Sequence, residues 1–259
     1  MTSVARQAHI ELKSPREIDL LCQAGRVAAK ILMELKRSVA AGMTTKDVDA
    51  LAAKKMRERG VTSAFLNYRG YPAVVCTSVN EEVVHSIPGP RRLEEGDILS
   101  LDIGIFLNGF CGYTATTFGI GRVSPEAERL MKAGRESLEA SIQAAVLGNR
   151  LGDVSHAMQA VVEKAGYNVV REYGGHGIGR AMHKEPHVPC FGTPGTGIRL
   201  TEGMVLALEV MANAGAAEIR HQADQWTVVT ADNSLSVHYE KMVAMTDQGT
   251  VVLTPHDDR

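Results

Sequence analysis

The chain repeats itself, and the repeat constrains its fold more than any other feature. LEEGDILSLDIG (Leu93 to Gly104) lies over LTEGMVLALEVM (Leu200 to Met211) without a gap, at an offset of 107 residues. Leu93, Glu95, Gly96, Leu99 and Leu101 recur as Leu200, Glu202, Gly203, Leu206 and Leu208, and an acid recurs as Asp102 and Glu209. Upstream, SPREIDLLCQAGR (Ser14 to Arg26) is similar to SPEAERLMKAGR (Ser124 to Arg135), and Gly42, Asp47, Val48 and Gly60 recur as Gly148, Asp153, Val154 and Gly166. Self-similarity in one order along the chain implies two like halves, about 14–122 and 124–253, within one domain over 1–259. A site on the axis between them would draw matching residues from both.

Each half opens on Ser-Pro, a helix cap followed by proline at the first helical position. Ile18, Leu21, Cys22, Val27, Ile31 and Leu35 form an apolar stripe at helical spacing, with Leu130, Leu138, Ile142 and Val146 as its counterpart. Second helices are expected over 45–59 and 151–165. Strands are expected over 73–78, 97–106, 113–120, 168–174, 204–212, 226–230 and 236–245, where β-branched and apolar residues gather. Helices followed by strands, twice over, predict an α+β fold of pseudo-twofold symmetry, a central antiparallel sheet covered by helices, rather than a doubly wound sheet.

Composition narrows the function classes. With 28 Lys+Arg against 30 Asp+Glu the formal net charge is −2, which excludes a nucleic-acid binder driven by bulk positive charge. At 44% hydrophobic and 22% charged residues the chain is neither disordered nor fibrous. No apolar run approaches the roughly 20 residues of a membrane helix, and the N-terminal MTSVARQAHIELKSPREID lacks the apolar segment of a signal peptide, so a cytoplasmic protein is expected. Cys22, Cys76, Cys111 and Cys190 are widely spaced with no C-x-x-C pair, as expected of reduced thiols.

The chemistry-bearing residues sit inside apolar strands. In LSLDIGIF, Leu99, Leu101, Ile103 and Ile105 share one face, leaving Asp102 on the other with Ser100 and Gly104. Glu209 is set the same way among Leu206, Leu208 and Val210, and Glu240 follows the same rule if its strand is regular through Met242. Carboxylates there are costly to bury unless paired or metal-bound. A glycine-rich turn, YGGHGIGRAMH, carries His176 and His183. Three carboxylates and one imidazole suit Mn, Fe or Co and would activate water for hydrolysis. Ordinary readings stand beside these: a single strand acid is more often an ion-pair partner, His183, His187 and His221 each read alone as loop histidines, and Pro186 inside H-x-x-x-H argues against a helical metal pair.

Together these residues resemble the type I methionine aminopeptidases of the pita-bread fold, from about Ser14 to Leu253. The likeness is carried by NYRGYPAVVCTSVNEEVVHSIPG, GDILSLDIG, REYGGHGIGRAMHKEP, GMVLALEVMANAG and WTVVTADNSLSVHYE. The resemblance implies removal of the initiator methionine from nascent chains by a divalent metal, one or two ions of Co, Mn, Fe or Zn. Its ligands would be Asp102, His176, Glu209 and Glu240. The family's fifth ligand is a second, bridging Asp, and where the family reads GDT this chain has CGYTATTF, so Tyr113 stands at that position. A phenol, with one oxygen and a reference pKa near 10, cannot bridge two ions as a carboxylate does, so one held ion is expected. HSIP in place of HGIP, and Glu209-Val210-Met211 in place of E-P-M, are smaller departures.

By the same resemblance His85 and His183 would contact the substrate and the tetrahedral intermediate, and Glu209 would also shuttle a proton. Phe65, Tyr68, Tyr71, Cys76, His85, Met182, His183 and Trp226 would line the methionine pocket, against the plain alternative of core packing. Nascent N-termini and the ribosome are the expected partners, with no specific nucleic acid, no membrane, and a monomeric chain. A competing expectation, motivated by Tyr113, is a catalytically silent paralogue that binds a peptide or protein partner. A third, a proline-specific peptidase or creatinase, is disfavoured because these carry a long N-terminal domain, for which a chain whose helix begins near Ser14 has no room.

Overall fold

The computed structural model describes residues 10–258. The leader-free reading of the N-terminal stretch therefore lies outside the described residues up to His9. Helices α1 (Pro15–Ser38) and α2 (Thr45–Glu58) precede strands β1 (Thr62–Ser63), β2 (Cys76–Val79), β3 (Glu82–Val84), β4 (Ile98–Leu107) and β5 (Phe110–Gly119). Helices α3 (Pro125–Ala144) and α4 (Leu151–Lys164) precede β6 (Asn168–Val169), β7 (Gly174–Gly177), β8 (Lys184–Pro189), β9 (Val205–Asn213), β10 (Ile219–His221), β11 (Val228–Thr230), β12 (Ser236–Thr246) and β13 (Gly249–Val252).

Local chemistry starts the helices where expected. The Ser14 hydroxyl accepts from the Glu17 amide while the Glu17 carboxylate accepts from the Ser14 amide, a reciprocal cap that satisfies two otherwise orphaned donors. Thr44 and Asp47 repeat the arrangement at α2, and Ser124 caps α3.

The main sheet runs β1-β4-β5-β12-β9-β7-β8, with β2 beside β4, β6 beside β9 and β13 beside β12, and every pairing is antiparallel. A small sheet, β10-β11-β3, stands apart from it. The helices lie against one face. Leu99, Leu101, Ile103 and Ile105 of β4 share a core with Ala28, Ile31 and Leu35 of α1 and Val48 and Ala52 of α2, while Val237, Tyr239 and Val243 of β12 share another with Leu130 and Leu138 of α3 and Val154 and Met158 of α4. Strand side chains alternate, so the residues between these point to the opposite face of the sheet.

Several expected boundaries move, each for a stated reason. The 73–78 strand begins only at Cys76, because the Val74 and Val75 amides donate to Asp49 Oδ1 instead of to a neighbouring strand. The 226–230 strand begins at Val228, because Asp224 Oδ1 accepts from the Trp226 and Thr227 amides and makes a turn there. Of 168–174 only Asn168–Val169 and the last residue, Gly174, are strand, and Gly174 opens β7, which takes in the glycine-rich segment around His176 and pairs with β8 and β9. Val146 lies past the end of α3 and is exposed, not part of a buried stripe.

Helix α1 crosses β5 at close range. A Cβ on Gly112 would meet the Ala24 carbonyl oxygen at 2.3 Å, inside any permitted contact. Gly112→Ala should therefore push α1 off the sheet and cost about 1–3 kcal/mol, the usual range for overpacking. A urea unfolding midpoint equal to that of the native chain would contradict the close approach.

Candidate metal centre and adjoining pocket

Strand register builds the site. Asp102 on β4 pairs with Ala115 on β5, Ala115 with Glu240 on β12, and Glu240 with Glu209 on β9. The three acids thus form one row across four adjacent strands spaced about 4.8 Å apart, on the face away from the helices. Cys76 on β2 extends the row beyond Asp102. The β12 ladder is regular from Ser236 to Ala244, which fixes the facing of Glu240. Two residues along each strand in one direction stand Tyr113, Met242, Ala207 and His176; in the other stand Ser100, Thr117, His238 and Met211. The carboxylate row is therefore flanked by Tyr113 and His176 on one side and by His238 on the other.

All of these groups are buried, and Glu240 has no exposed surface at all. Both Glu240 oxygens, Asp102 Oδ1 and His176 Nε2 have no hydrogen-bond partner. His176 Nδ1 lies 3.0 Å from the Gly177 carbonyl oxygen, which can only accept, so the proton is on Nδ1 and Nε2 presents a lone pair. Burial lowers the basicity of His176. His238 Nε2 stands 2.9 Å from Glu209 Oε2. Burial alone would push Glu209 up, but the hydrogen bond and charge of His238 overcome it and hold Glu209 below the usual carboxylate range. Burial likewise opposes protonation of His238, and Glu209 reverses the sign. Glu240 is pushed well up, first by burial and then by the charges of Glu209 and Asp102. Orphaned buried donors of oxygen and imidazole nitrogen fit a divalent cation, which would neutralise what the protein leaves unpaired.

Tyr113 occupies the place the resemblance assigns to a bridging carboxylate. Its hydroxyl donates to Asp102 Oδ2 at 3.2 Å, and its ring stacks on His176 with centroids 5.6 Å apart. Burial, reinforced by the charges of Asp102, Glu240 and Glu209, keeps the phenol protonated. The ligand atoms of Glu209, His238 and Glu240 all lie within 4.8 Å of one another, and among the described residues no other trio of His, Cys, Asp or Glu side chains does so. Asp102 and His176 stand outside that trio. His238 was not singled out in the sequence. Its signal is there, since His238 and Glu240 are two apart on one strand and so share a face, but its partner Glu209 lies 29 residues away.

Beside the centre is an apolar pocket of about 130 Å³ lined by Phe65, Tyr68, Tyr71, Cys76, His85, Met182, His183 and Trp226, together with Arg69 and Tyr113. This brings together every residue expected around a methionine side chain, and adds Arg69, which sequence reasoning missed. Its volume is well under the roughly 300 Å³ at which sites for drug-sized ligands begin, room for about one side chain. The adjoining cleft, about 530 Å³, reaches from Tyr173 and Glu172 to His176, Glu209 and His238. His85, His183 and Tyr113 border both spaces. The His183 Nδ1 is 2.9 Å from the Tyr68 hydroxyl, and its ring meets His176 edge-on at 4.3 Å. Desolvation pushes both the half-buried His85 and the more exposed His183 down to about 4, His176 adding to the effect at His183. His85 also holds a left-handed backbone, with φ of 61°, a conformation that a non-glycine residue adopts only when its surroundings impose it.

The chain matches the profile of metallopeptidase family M24 over residues 19–247. It is 47% identical over 246 residues to the methionine aminopeptidase of Clostridium acetobutylicum, covering 95% of this chain and 98% of the relative. It is 43% identical over 242 residues to methionine aminopeptidase 1 of Bacillus subtilis, covering 93% and 98%. The crystal structure of methionine aminopeptidase from Thermotoga maritima superposes with a TM-score of 0.93 at 40% identity, covering 96% and 100%. Prolidase from Pyrococcus furiosus shares the fold, with a TM-score of 0.77 at 19% identity over 95% of this chain and 66% of that one. The architecture is thus the α+β pita-bread fold.

The depressed His85 has a consequence for stability. Its folded value near 4 lies below the 6.5 of the unfolded chain, so between these values the unfolded state binds more protons. Its contribution is present above pH 6.5 and is lost as pH falls toward 4, by about 3 kcal/mol at about 1.4 kcal/mol per pH unit. The expected outcome is that the difference in unfolding free energy between native protein and His85→Gln changes by that amount from pH 7 to pH 4. A difference independent of pH would contradict the half-buried, neutral imidazole.

Proposed function

The chain belongs to metallopeptidase family M24, and from that membership we propose that it is a methionine aminopeptidase, a metal-dependent hydrolase that removes the initiator methionine from nascent proteins. The observation that carries this reading is the pocket for one apolar side chain opening directly beside a buried row of carboxylates whose central member, Glu240, has no partner. Aromatic rings with Cys76 and Met182 pack well around a thioether. The pocket's small size limits it to the first residue of a peptide, and the cleft beyond has room for the chain that follows.

Asp102, His176, Glu209 and Glu240 would hold a divalent cation. When bound, it supplies Lewis-acid activation of the scissile carbonyl and of the hydrolytic water. Tyr113, a protonated phenol, gives no bridging carboxylate, which favours one ion over two. Glu209 is ionised and borders the cleft, so its carboxylate can take a proton from the attacking water and return it to the leaving amine. His85 and His183 are neutral near pH 7. With the Tyr68 hydroxyl donating to Nδ1 of His183, its Nε2 carries the proton and can donate to oxygen charge that develops in the tetrahedral intermediate. The same reading puts the protein in the cytoplasm as a monomer, acting on chains at the ribosome, with Mn, Fe, Co or Zn as its metal.

A second reading rests on Tyr113 alone: a silent member of the family that binds peptide N-termini in the same cleft. Hydrolysis of Met-Ala-Ser by native protein and Tyr113→Asp, each with Mn, Co and anaerobic Fe, separates the two. Native turnover is the expected result, and Glu209→Gln should reduce it by about 10²-fold or more. Turnover confined to the Asp variant would overturn the hydrolase reading in favour of the silent one.

A further inference from the structure

His238 is the imidazole that the mechanism above leaves without a role, and its placement makes it more than a hydrogen-bond partner of Glu209. The inference rests on the reading of the cleft as a metal centre. On β12, His238 precedes Glu240 by two residues and pairs with Met211, so it approaches the Glu209–Glu240 pair from the side opposite Tyr113. Its Nε2 is the atom aimed at that pair, 2.9 Å from Glu209 Oε2. The mutual separations within the trio, all under 4.8 Å, are close to the spread that one ion with bonds of about 2.1 Å spans. Glu240, fully buried and with neither oxygen partnered, faces the same point. On the other side, the Tyr113 hydroxyl is turned to Asp102 and its ring covers His176, so that side lacks a second carboxylate.

We propose that His238 Nε2 is itself a ligand of the cation, together with Glu209 and Glu240, and supplies from the far side of the row the donor that a phenol at position 113 does not. On this arrangement the free protein keeps the ligand oriented by the hydrogen bond that Nε2–H donates to Glu209, and when the cation binds that proton is released and the bond to the cation replaces the contact.

Loss of affinity alone would not separate a ligand from a neighbour that only orients one, because mutating an orienting partner also costs about 10–100-fold in metal affinity. The deciding measurement is a titration of the native chain, with ¹⁵N-labelled histidines, by Zn(II), read from the side-chain nitrogen resonances and assigned with His238→Gln and His176→Gln. The expected result is that His238 Nε2 moves to the position of a metal-bound imidazole nitrogen by one equivalent, and that His238→Gln weakens Zn(II) binding at least tenfold while keeping the native circular dichroism. A shift at His176 with His238 unmoved would overturn the proposal and leave the hydrolase reading intact, as would native affinity in His238→Gln. A His238 shift in a protein that cleaves no Met-Ala-Ser would uphold the ligand and count against the hydrolase. Absence of any zinc-dependent shift would overturn the proposal.

Discussion

Three carboxylates aligned on one row of a sheet, with a fully buried member at the centre, are what the rest of this structure is arranged around. Taking a carboxylate out of water costs several kcal/mol even after relaxation, and like charges side by side add to that. The chain meets the cost in part with its own groups: His238 stands against Glu209, and the Tyr113 hydroxyl against Asp102. Glu240, between them, has nothing. An arrangement that leaves its central carboxylate unpaired is one built to be completed by a cation.

The row exists only because distant strands meet in register. Asp102 and Glu209 lie at equivalent places in two similar stretches of sequence, and Glu240 on β12 comes between them in space, joined to β5 on one side and β9 on the other. The face turned away from the acids carries the apolar residues that pack under α1 to α4. One alternation thus does two jobs: it roots the strands in the cores and raises the acids into the cleft. The apolar pocket follows from the same geometry, since Tyr113 and Cys76 are close neighbours of the acids in the sheet and also line the pocket wall.

Much of this was legible in the sequence where the determining physics is local. Alternation of Leu99, Leu101, Ile103 and Ile105 gave the facing of Asp102, and the Ser-Pro starts marked α1 and α3. Pro186 spoke against a helix between His183 and His187, and that stretch contains strand β8. The glycine run around His176 misled for a physical reason. It reads as a turn, yet a Cβ on Gly175 would meet the Ala207 carbonyl oxygen at 2.3 Å and one on Gly177 the Glu185 oxygen at 2.1 Å, so the glycines serve a strand whose neighbours press against it. The start of β2 set by Asp49 was equally out of reach, since a side chain that captures amides 25 residues away leaves no local pattern, whereas the Asp224 turn before β11 is local, two and three residues from the amides it holds. His238 went unnoticed for the same reason: a buried histidine acquires its meaning from what faces it.

The central claim is that a single cation completes the carboxylate row. It is tested most directly by a crystal structure of Mn(II)-loaded protein with anomalous scattering collected at a wavelength that identifies the metal. The account predicts one anomalous peak per chain at the Glu209–Glu240 pair, with the Tyr113 ring still stacked on His176. Two peaks with Tyr113 swung out of the row, or no peak beside Glu240, would contradict it.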